Sequence, residues 1–265
     1  MPLSPLLRRY DHVLLDLDGC VWVGQTATPN AREALAELRN HGKTLAFVTN
    51  DSRLAPEEYV RKLWSLGLQA SLEEIVTVGS AIQYVLADRR PGTPTFVIGS
   101  AAIFRHVADS GQRIVNGTDR AGSAEIVVVA GHDEFSFAEL RTATRAVLNG
   151  AEMIAAGRDR IFPTADGYSP ATGAVVAALE YATERTARSV GKPDVMLFET
   201  ALDRLGPGRT LMVGDRLDSD LGGAAAAGLD GAIVLTGVTT RAQAQAAEDP
   251  SPVAVADSLY ALVTG

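Results

Sequence analysis

Short apolar runs that end in turn residues recur along the chain. Runs of this kind are typical of buried strands in a parallel sheet, and they lie within residues 12–19, 43–50 and 210–215. Each run is followed by a segment with helical periodicity, over residues 29–40, 56–66 and 218–227. Because strand and helix alternate, the pattern predicts an α/β fold built on a doubly wound, Rossmann-like parallel sheet.

Polar residues stand where these runs end. Asp16 and Asp18 are two residues apart, so in an extended strand both carboxylates would point to the same side. The second run ends in Thr49 and Asn50, and the third ends in Asp215. Ligands of doubly wound sheets bind at the carboxyl ends of the strands, so these side chains are predicted to share one site. Taken alone, the Asp-x-Asp pair could equally occur by chance in an acidic protein.

The predicted site holds the groups that phosphoryl transfer needs. Neighbouring carboxylates repel each other unless a cation offsets them, and Mg²⁺ prefers carboxylate oxygens together with water and phosphate. A carboxylate can also act as a nucleophile or as a proton donor. Lys192, which lies between Gly191 and Pro193, can offset the charge of a phosphate. These residue types together indicate a phosphoryl-transfer site that uses Mg²⁺.

The order and spacing of these segments resemble the four motifs of the haloacid dehalogenase superfamily of phosphohydrolases. The matching segments are Asp16–Gly19, Val48–Asn50, Gly191–Pro193 and Gly214–Asp220. The resemblance covers essentially the whole chain and is closest to the nitrophenylphosphatase-like (NagD-like) branch, which carries a large α/β cap. It implies a Mg²⁺-dependent phosphatase acting through an aspartyl-phosphate. The implied substrate is a small phosphate monoester, such as a sugar phosphate or glycerol phosphate, with nitrophenyl phosphate as a generic substrate.

The resemblance also implies a role for each acidic residue of the first and fourth motifs. Asp16 would be the nucleophile, and Asp18 would protonate the leaving oxygen and then activate water. Asp16, the backbone carbonyl of Asp18, and Asp215 would hold Mg²⁺. Asp220 would support the metal-bound waters and Lys192 from behind. Asp218 matches no role in the family, and we expect it to lie in solvent at the start of a helix.

The second and third motifs are expected to bind the phosphate. By the same resemblance, Thr49, the amide of Asn50 and Lys192 would contact the phosphoryl group that is transferred. Asp51 follows directly and would bring an unwanted negative charge to a phosphate pocket. The residues after it resemble a helix start, so we expect Asp51 to cap that helix and face away from the phosphate.

The middle of the chain has its own alternation of strand and helix. Predicted strands lie at residues 95–99, 125–131 and 152–157, and predicted helices lie at residues 101–110 and 135–149. None of these strands ends in a cluster of catalytic residue types. We therefore predict a catalytic core of residues 1–79 and 188–265, with residues 80–187 inserted as a smaller α/β cap.

The turn after the third predicted cap strand contains Arg158 and Asp159. In the family this turn reaches the active site, so both residues are candidates for determining substrate specificity. The competing interpretation is a solvated, charged turn, because loops carry both surface charge and function.

Composition limits the classes of partner. Of 265 residues, 46% are hydrophobic and 21% are charged, and the net charge is −8. No basic run indicates nucleic-acid binding, and no apolar stretch has the length of a membrane span. The single cysteine excludes an intrachain disulfide and favours a reducing compartment. We expect a cytoplasmic enzyme with a small phosphorylated metabolite as its partner, and a homodimer formed through the cap.

Other functions remain compatible with parts of this pattern. A phosphorylated receiver-like module would also use an aspartate at a strand end, a lysine and Mg²⁺, but it has no use for Asp18 or a cap. A dinucleotide-binding oxidoreductase would need a G-x-G-x-x-G sequence after the first strand, and this chain lacks one there. Within the superfamily, a phosphomutase is an alternative, whereas Asp18 argues against dehalogenation because halide leaves without a proton.

Overall fold

The structure is a computed structural model that describes residues 3–164 and 167–265. Its strands are β1 (His12–Asp16), β2 (Trp22–Val23), β3 (Thr26–Ala27), β4 (Thr44–Thr49), β5 (Ile75–Thr77), β6 (Pro94–Ile98), β7 (Arg113–Ile114), β8 (Ile126–Val129), β9 (Glu152–Ala155), β10 (Ile161–Thr164), β11 (Gly167–Pro170), β12 (Arg188–Ser189), β13 (Thr210–Gly214), β14 (Asp230–Val234) and β15 (Ala254–Ala256). Its α-helices are α1 (Ala31–Asn40), α2 (Pro56–Ser65), α3 (Val78–Ala87), α4 (Ala101–Asp109), α5 (Phe137–Leu148), α6 (Thr172–Thr183), α7 (Val195–Leu205), α8 (Gly222–Ala226), α9 (Arg241–Ala246) and α10 (Leu259–Thr264).

The chain divides into two units. The first unit consists of Met1–Thr49, Pro56–Val76 and Lys192–Gly265. The second consists of Asn50–Ala55 and Thr77–Gly191. Each unit contains a parallel sheet of its own, so the predicted α/β fold is confirmed.

The sheet of the first unit reverses its strand order next to β1. In the described part of the chain, six strands form this sheet in the order β15-β14-β13-β1-β4-β5. The chain builds outward from β1 through β4 to one edge, and later builds outward from β13 to the other edge. The pairs of β1 with β4 and with β13 are parallel. The gap between β1 and β13 is therefore the switch point at which sheets of this kind bind ligands.

Burial explains why β1 is a continuous apolar run. Val13, Leu14 and Leu15 are fully buried, as expected for a central strand covered on both faces. Leu15 pairs with Val213 of β13, and Asp16 pairs with Val48 of β4. The first carboxylate therefore emerges at the level where its neighbouring strands end.

The second unit is built around a five-stranded sheet among its described residues, in the order β12-β9-β8-β6-β7. Each pair of neighbouring strands in this sheet is parallel. Strands β6, β8 and β9 and helices α4 and α5 match the predicted cap elements to within a few residues. Ser136 begins α5 with a capping box, because its hydroxyl accepts the N–H of Glu139 while the Glu139 carboxylate accepts the N–H of Ser136.

The segment predicted as a helix over residues 218–227 is more irregular than its pattern suggests. Leu217–Leu221 form a π-helical turn, and α8 begins only at Gly222. The N–H of Leu221 donates to the carbonyl of Arg216, five residues earlier. The apolar pattern could not predict this extra residue in the turn, because a polar side chain, described below, stabilises the turn.

Several short elements carry no periodicity from which to predict them. The antiparallel hairpins β2–β3 and β10–β11 are made of strands of two and four residues. Within the residues described, no helix combines the length and the apolar character needed to cross a membrane.

The small residues at the start of α8 allow this helix to pack closely on its neighbour α7. A Cβ atom added to Gly223 would lie 2.4 Å from Cε2 of Phe198 and 3.1 Å from the Cα of Pro193. A Cβ atom added to the adjacent Gly222 would meet nothing closer than the carbonyl oxygen of Leu217, at 3.5 Å. Close packing, and not backbone conformation, therefore requires glycine at position 223.

We predict that Gly223→Ala lowers the free energy of unfolding by about 1–3 kcal/mol, because the added methyl group overpacks a buried contact. The matched variant Gly222→Ala should be neutral or raise that free energy by up to about 1 kcal/mol, because alanine favours helix. Denaturant unfolding followed by circular dichroism measures both changes. Equal destabilisation by the two variants would contradict the packing assignment.

Candidate active site

A buried lysine joins two carboxylates at the carboxyl ends of β1 and β13. Lys192 Nζ donates to Asp16 Oδ1 at 2.5 Å and to Asp220 Oδ1 at 2.6 Å. The Lys192 side chain is only 4% exposed. The lysine and the first carboxylate are 176 residues apart in sequence, and the fold brings them together as the motifs predicted.

Three carboxylates converge around this lysine. One oxygen each from Asp16, Asp215 and Asp220 lies within 4.8 Å of the others. All three residues are buried. Three carboxylates with one ammonium leave two negative charges uncompensated, and a buried excess of this kind is unstable without a cation.

The oxygens of these three carboxylates differ in the hydrogen bonds that they accept. Asp220 is engaged on both sides, because its Oδ2 also accepts the backbone N–H groups of Asp215 at 3.1 Å and Arg216 at 3.0 Å. This pair of bonds holds the π-helical turn. By contrast, Asp215 Oδ1 is buried and has no hydrogen-bond partner among the described residues. Asp16 Oδ2 likewise accepts no hydrogen bond from the described part of the protein, so two oxygens are left for a cation.

Two glycines make the space that Asp215 occupies. A Cβ atom at Gly19 would lie 2.5 Å from the Asp215 carboxylate, and one at Gly237 would lie 2.0 Å from it. Gly19 also has a φ of +88°, in the region that favours glycine. The backbone N–H of Val238 donates to Asp215 Oδ2 at 2.6 Å and fixes the orientation of the carboxylate.

Burial and charge act in opposite directions on the ionisation of this cluster. Burial raises the pKa of Asp16 well above its usual range, and the Lys192 ammonium opposes that rise. Burial alone would lower the pKa of Lys192, but the carboxylates of Asp16 and Asp220 outweigh it and raise that pKa. Burial also raises the pKa of Asp215 to about 6, against the effect of the Val238 N–H. Lys192 is therefore held in its charged form, while an added cation would stabilise the ionised form of the carboxylates.

Asp18 lies in a different environment from Asp16. Strand β1 ends at Asp16, and the chain turns at Gly19, so the extended spacing that predicted two equivalent carboxylates does not continue. Asp16 is buried, whereas Asp18 is exposed. Asp18 Oδ1 accepts a hydrogen bond from the indole Nε1 of Trp22 at 2.7 Å. The two carboxylates are thus separated in burial and in partners.

Asp218 turns away from the cluster, as expected. Its side chain is 71% exposed, and both of its oxygens accept hydrogen bonds from the guanidinium of Arg216. This arrangement lowers the pKa of Asp218. Both oxygens of the Asp51 carboxylate accept hydrogen bonds from the guanidinium of a neighbouring arginine, Arg53.

The second motif divides between the two units. Thr49 is the last residue of β4 and is 3% exposed. Asn50 follows it directly and is counted with the second unit. Its Nδ2 donates to Asp159 Oδ2 at 3.1 Å. A Cβ atom at Gly191 would lie 2.2 Å from the backbone carbonyl oxygen of Ala156 and 2.9 Å from Asn50 Oδ1, so glycine is needed there as well.

The charged turn of the second unit is held by internal contacts. The Arg158 guanidinium donates to both carboxylate oxygens of Glu180, at 3.2 and 2.7 Å, and to the carbonyl of Ala187 at 2.9 Å. The hydrogen bond from Arg158 lowers the pKa of Glu180. Asp159 is half-buried and accepts from Asn50. The two candidate specificity residues therefore have different surroundings.

Sequence reasoning missed two parts of this site. The first is the indole N–H of Trp22: in the sequence this tryptophan looks like a buried core residue, and nothing there indicates that its N–H donates to Asp18. The second is the loop of Gly237 and Val238, which follows β14. Because this loop lies at the carboxyl end of a strand, it could have been predicted as part of the site.

Family comparisons agree with the geometry. A model described as a haloacid dehalogenase-like hydrolase matches residues 13–113, and a HAD-hydrolase-like model matches residues 189–262. Human chronophin is 36% identical over 259 residues, covering 92% of this chain and 87% of chronophin.

Solved structures have the same fold. The crystal structure of a glycerol phosphate phosphatase from Mycobacterium tuberculosis in complex with magnesium matches with a TM-score of 0.91 at 34% identity, covering 99% of this chain and 79% of that one. The p-nitrophenyl phosphatase from Archaeoglobus fulgidus matches with a TM-score of 0.88 at 31% identity, covering 96% and 98%. The chain therefore belongs to the haloacid dehalogenase-like hydrolases, as its motifs predicted, and is a phosphoric monoester hydrolase of the nitrophenylphosphatase-like branch.

Proposed function

We propose that this protein is a Mg²⁺-dependent phosphatase that hydrolyses a small phosphate monoester through an aspartyl-phosphate on Asp16. The observation that carries the proposal is the buried cluster in which Lys192 bridges Asp16 and Asp220 beside Asp215. A receiver-like module or a phosphomutase would share part of this cluster. The similarity to phosphatases along nearly the whole chain favours hydrolysis.

The acidic cluster fits a divalent cation. With all three carboxylates ionised, two negative charges are uncompensated, and carboxylate oxygens such as the unpartnered Asp215 Oδ1 are hard ligands of the kind that Mg²⁺ prefers. Asp16, the backbone carbonyl of Asp18, and Asp215 would hold the ion, while Asp220 anchors Lys192 behind them. When bound, Mg²⁺ would neutralise charge on the phosphate and on the carboxylates.

Each half of the reaction uses the two aspartates of the first motif. In the first half, an Asp16 oxygen bonds to phosphorus, the ester P–O bond breaks, and Asp18 gives its proton to the departing oxygen. In the second half, Asp18 takes a proton from water, whose oxygen bonds to phosphorus while the Asp16 O–P bond breaks. Inorganic phosphate leaves, and both side chains return to their starting states.

The remaining motif residues would hold the phosphoryl group. Lys192 is already charged and fixed next to Asp16, so it can offset the growing charge on the phosphate oxygens without reorganising. Thr49 would donate through its hydroxyl and Asn50 through its amide. Their position at the end of β4, the neighbour of β1 in the sheet, supports these assignments.

We further propose that the second unit is the cap and that its turn at Arg158 and Asp159 selects the leaving group. The named activities of relatives indicate the substrate class: they include D-glycerol 3-phosphate phosphatase and acid sugar phosphatase. A small polyol or sugar phosphate is therefore the proposed substrate. Cytoplasmic location and a homodimer through the cap are also proposals, the former supported by the single buried cysteine.

The first prediction from this proposed function concerns the nucleophile. Asp16→Asn should lower kcat by at least about three orders of magnitude, because no other group can form the covalent intermediate. Asp11→Asn is the matched control: Asp11 is an exposed carboxylate just before β1, and its substitution should leave kcat within about two-fold. Phosphate release from nitrophenyl phosphate measures both. Activity above a few per cent in a folded Asp16→Asn protein would refute the assignment.

The second prediction concerns the metal. Asp215→Asn should raise the Mg²⁺ concentration for half-maximal activity by about ten-fold or more, because it removes a proposed ligand. Asp218→Asn should leave that concentration unchanged, because Asp218 pairs with Arg216 at the surface. Activity titrations and calorimetric binding of Mg²⁺ measure the effect. Full activity in excess chelator, or equal shifts for both variants, would contradict the prediction.

A third prediction tests how the charged turn acts. Arg158→Ala should change the ratio of kcat/KM values among phosphate esters by about ten-fold or more, with little effect on nitrophenyl phosphate. Glu180→Gln keeps the arginine but removes its charged partner. If Arg158 contacts the leaving group directly, Glu180→Gln should preserve the ratio. The same shift in both variants would mean that the ion pair acts by holding the turn, and uniform loss for all esters would contradict a role in selectivity.

A further inference from the structure

The hydrogen bond between Trp22 and Asp18 leaves the two oxygens of this carboxylate inequivalent. Trp22 Nε1 donates to Oδ1 at 2.7 Å. In the part of the chain that the structure describes, Oδ2 accepts no hydrogen bond from protein, and the side chain is exposed. One oxygen is therefore held by the indole, and the other is not held by a hydrogen bond from the described residues.

Trp22 is itself held in place from several directions. It is fully buried, and its ring is parallel to that of Tyr59, with an interplanar angle of 4° and centroids 6.5 Å apart. The ammonium of Lys62 lies 4.1 Å from the centroid of the indole. Tyr59 and Lys62 are three residues apart on α2, so one face of this helix covers the tryptophan.

The backbone also ties Trp22 to the loop that carries Asp18. The N–H of Trp22 donates to the carbonyl of Leu17 at 3.1 Å, and the N–H of Gly19 donates to the carbonyl of Trp22 at 2.7 Å. These bonds close the loop from both sides of Asp18. The position of the indole relative to the carboxylate is thus set by main chain and by packing together.

We propose that Trp22 is a positioning residue that determines which oxygen of Asp18 carries the proton in catalysis. An indole N–H can only donate, so Oδ1 must act as its acceptor, and a proton on the carboxyl group belongs on Oδ2. This inference rests on the acid–base role proposed above for Asp18. Lys62 supports it, because a cation on the ring face polarises the indole and strengthens its N–H as a donor.

The proton balance of the two half-reactions passes through this one oxygen. In the first, the O–H bond at Oδ2 breaks, and its proton goes to the ester oxygen, which keeps the electron pair of the broken P–O bond. In the second, Oδ2 accepts a proton from the attacking water. Without the indole, the carboxyl group could rotate or carry its proton on either oxygen, and protonation of the leaving group would slow.

The experiment compares two substrates that differ in their need for a proton. An alkyl ester such as glycerol phosphate needs its leaving oxygen protonated, whereas nitrophenolate leaves as a stable anion. The quantity compared is kcat/KM, because it reports the steps up to departure of the alcohol and omits hydrolysis of the aspartyl-phosphate. In Trp22→Phe, the ratio of kcat/KM for the alkyl ester to that for nitrophenyl phosphate should fall by about ten-fold or more.

The chain offers a matched control in its other tryptophan. Trp64 Nε1 also donates one hydrogen bond, at 2.9 Å, but its acceptor is the carbonyl of Ala70. Trp64→Phe should leave the ratio unchanged to within about two-fold. Because Trp22→Phe could disturb the core, the Trp64→Phe protein should also be made with benzothienylalanine at position 22, which keeps the bicyclic ring and removes only the N–H.

Parallel assays of Asp18→Asn separate the two levels of the proposal. If Asp18→Asn leaves kcat/KM for the alkyl ester intact, the acid–base role of Asp18 fails. If Asp18→Asn abolishes it while both Trp22 replacements keep the wild-type ratio, only the role of Trp22 is overturned. Equal loss on both substrates in the benzothienylalanine protein would also overturn it, since the N–H would then matter for a step that does not depend on protonation of the leaving group.

Discussion

The site depends on the buried ion pairs that the ammonium of Lys192 forms with Asp16 and Asp220. This ammonium brings a positive charge into a cluster that would otherwise hold three carboxylates and no compensation. Because Asp220 also accepts two backbone N–H groups of the loop after β13, the lysine connects the end of β1 to the start of the π-helical turn. The same contact therefore organises both the charge and the local backbone.

The sheet topology explains why residues so distant in sequence can form this cluster. Strand β1 lies at the point where the strand order reverses, with β4 on one side and β13 on the other. Parallel strands present their carboxyl ends at one edge, so Asp16 at the end of β1 and Asp215 just after β13 come to one place. Lys192 reaches Asp16 from the segment before α7. Strands β1 and β13, which carry the carboxylates, are buried along their whole length.

The parts of this arrangement that strand endings encode could be predicted from the sequence. Asp16, Thr49 and Asp215 each follow a continuous apolar run, and the parallel fold places such positions together. The differences between Asp16 and Asp18 could not be predicted, because they arise from a turn and from an indole that lies at a core position. Similarly, the sequence leaves open whether Arg158 determines specificity or lies in a solvated turn. Its hydrogen bond to Glu180 depends on helix α6, which the apolar periodicity did not predict.

Gly19 and Gly237 carry no functional group, yet the Asp215 carboxylate fills the volume that a side chain on either would occupy. Substitutions at these two positions would therefore be selected against as strongly as substitutions of an aspartate that performs chemistry. In a comparison of diverging sequences, a pair of constant glycines in separate loops would mark the space reserved for one carboxylate. The absence of a side chain at these two glycines is thus retained together with the carboxylate that fills the space.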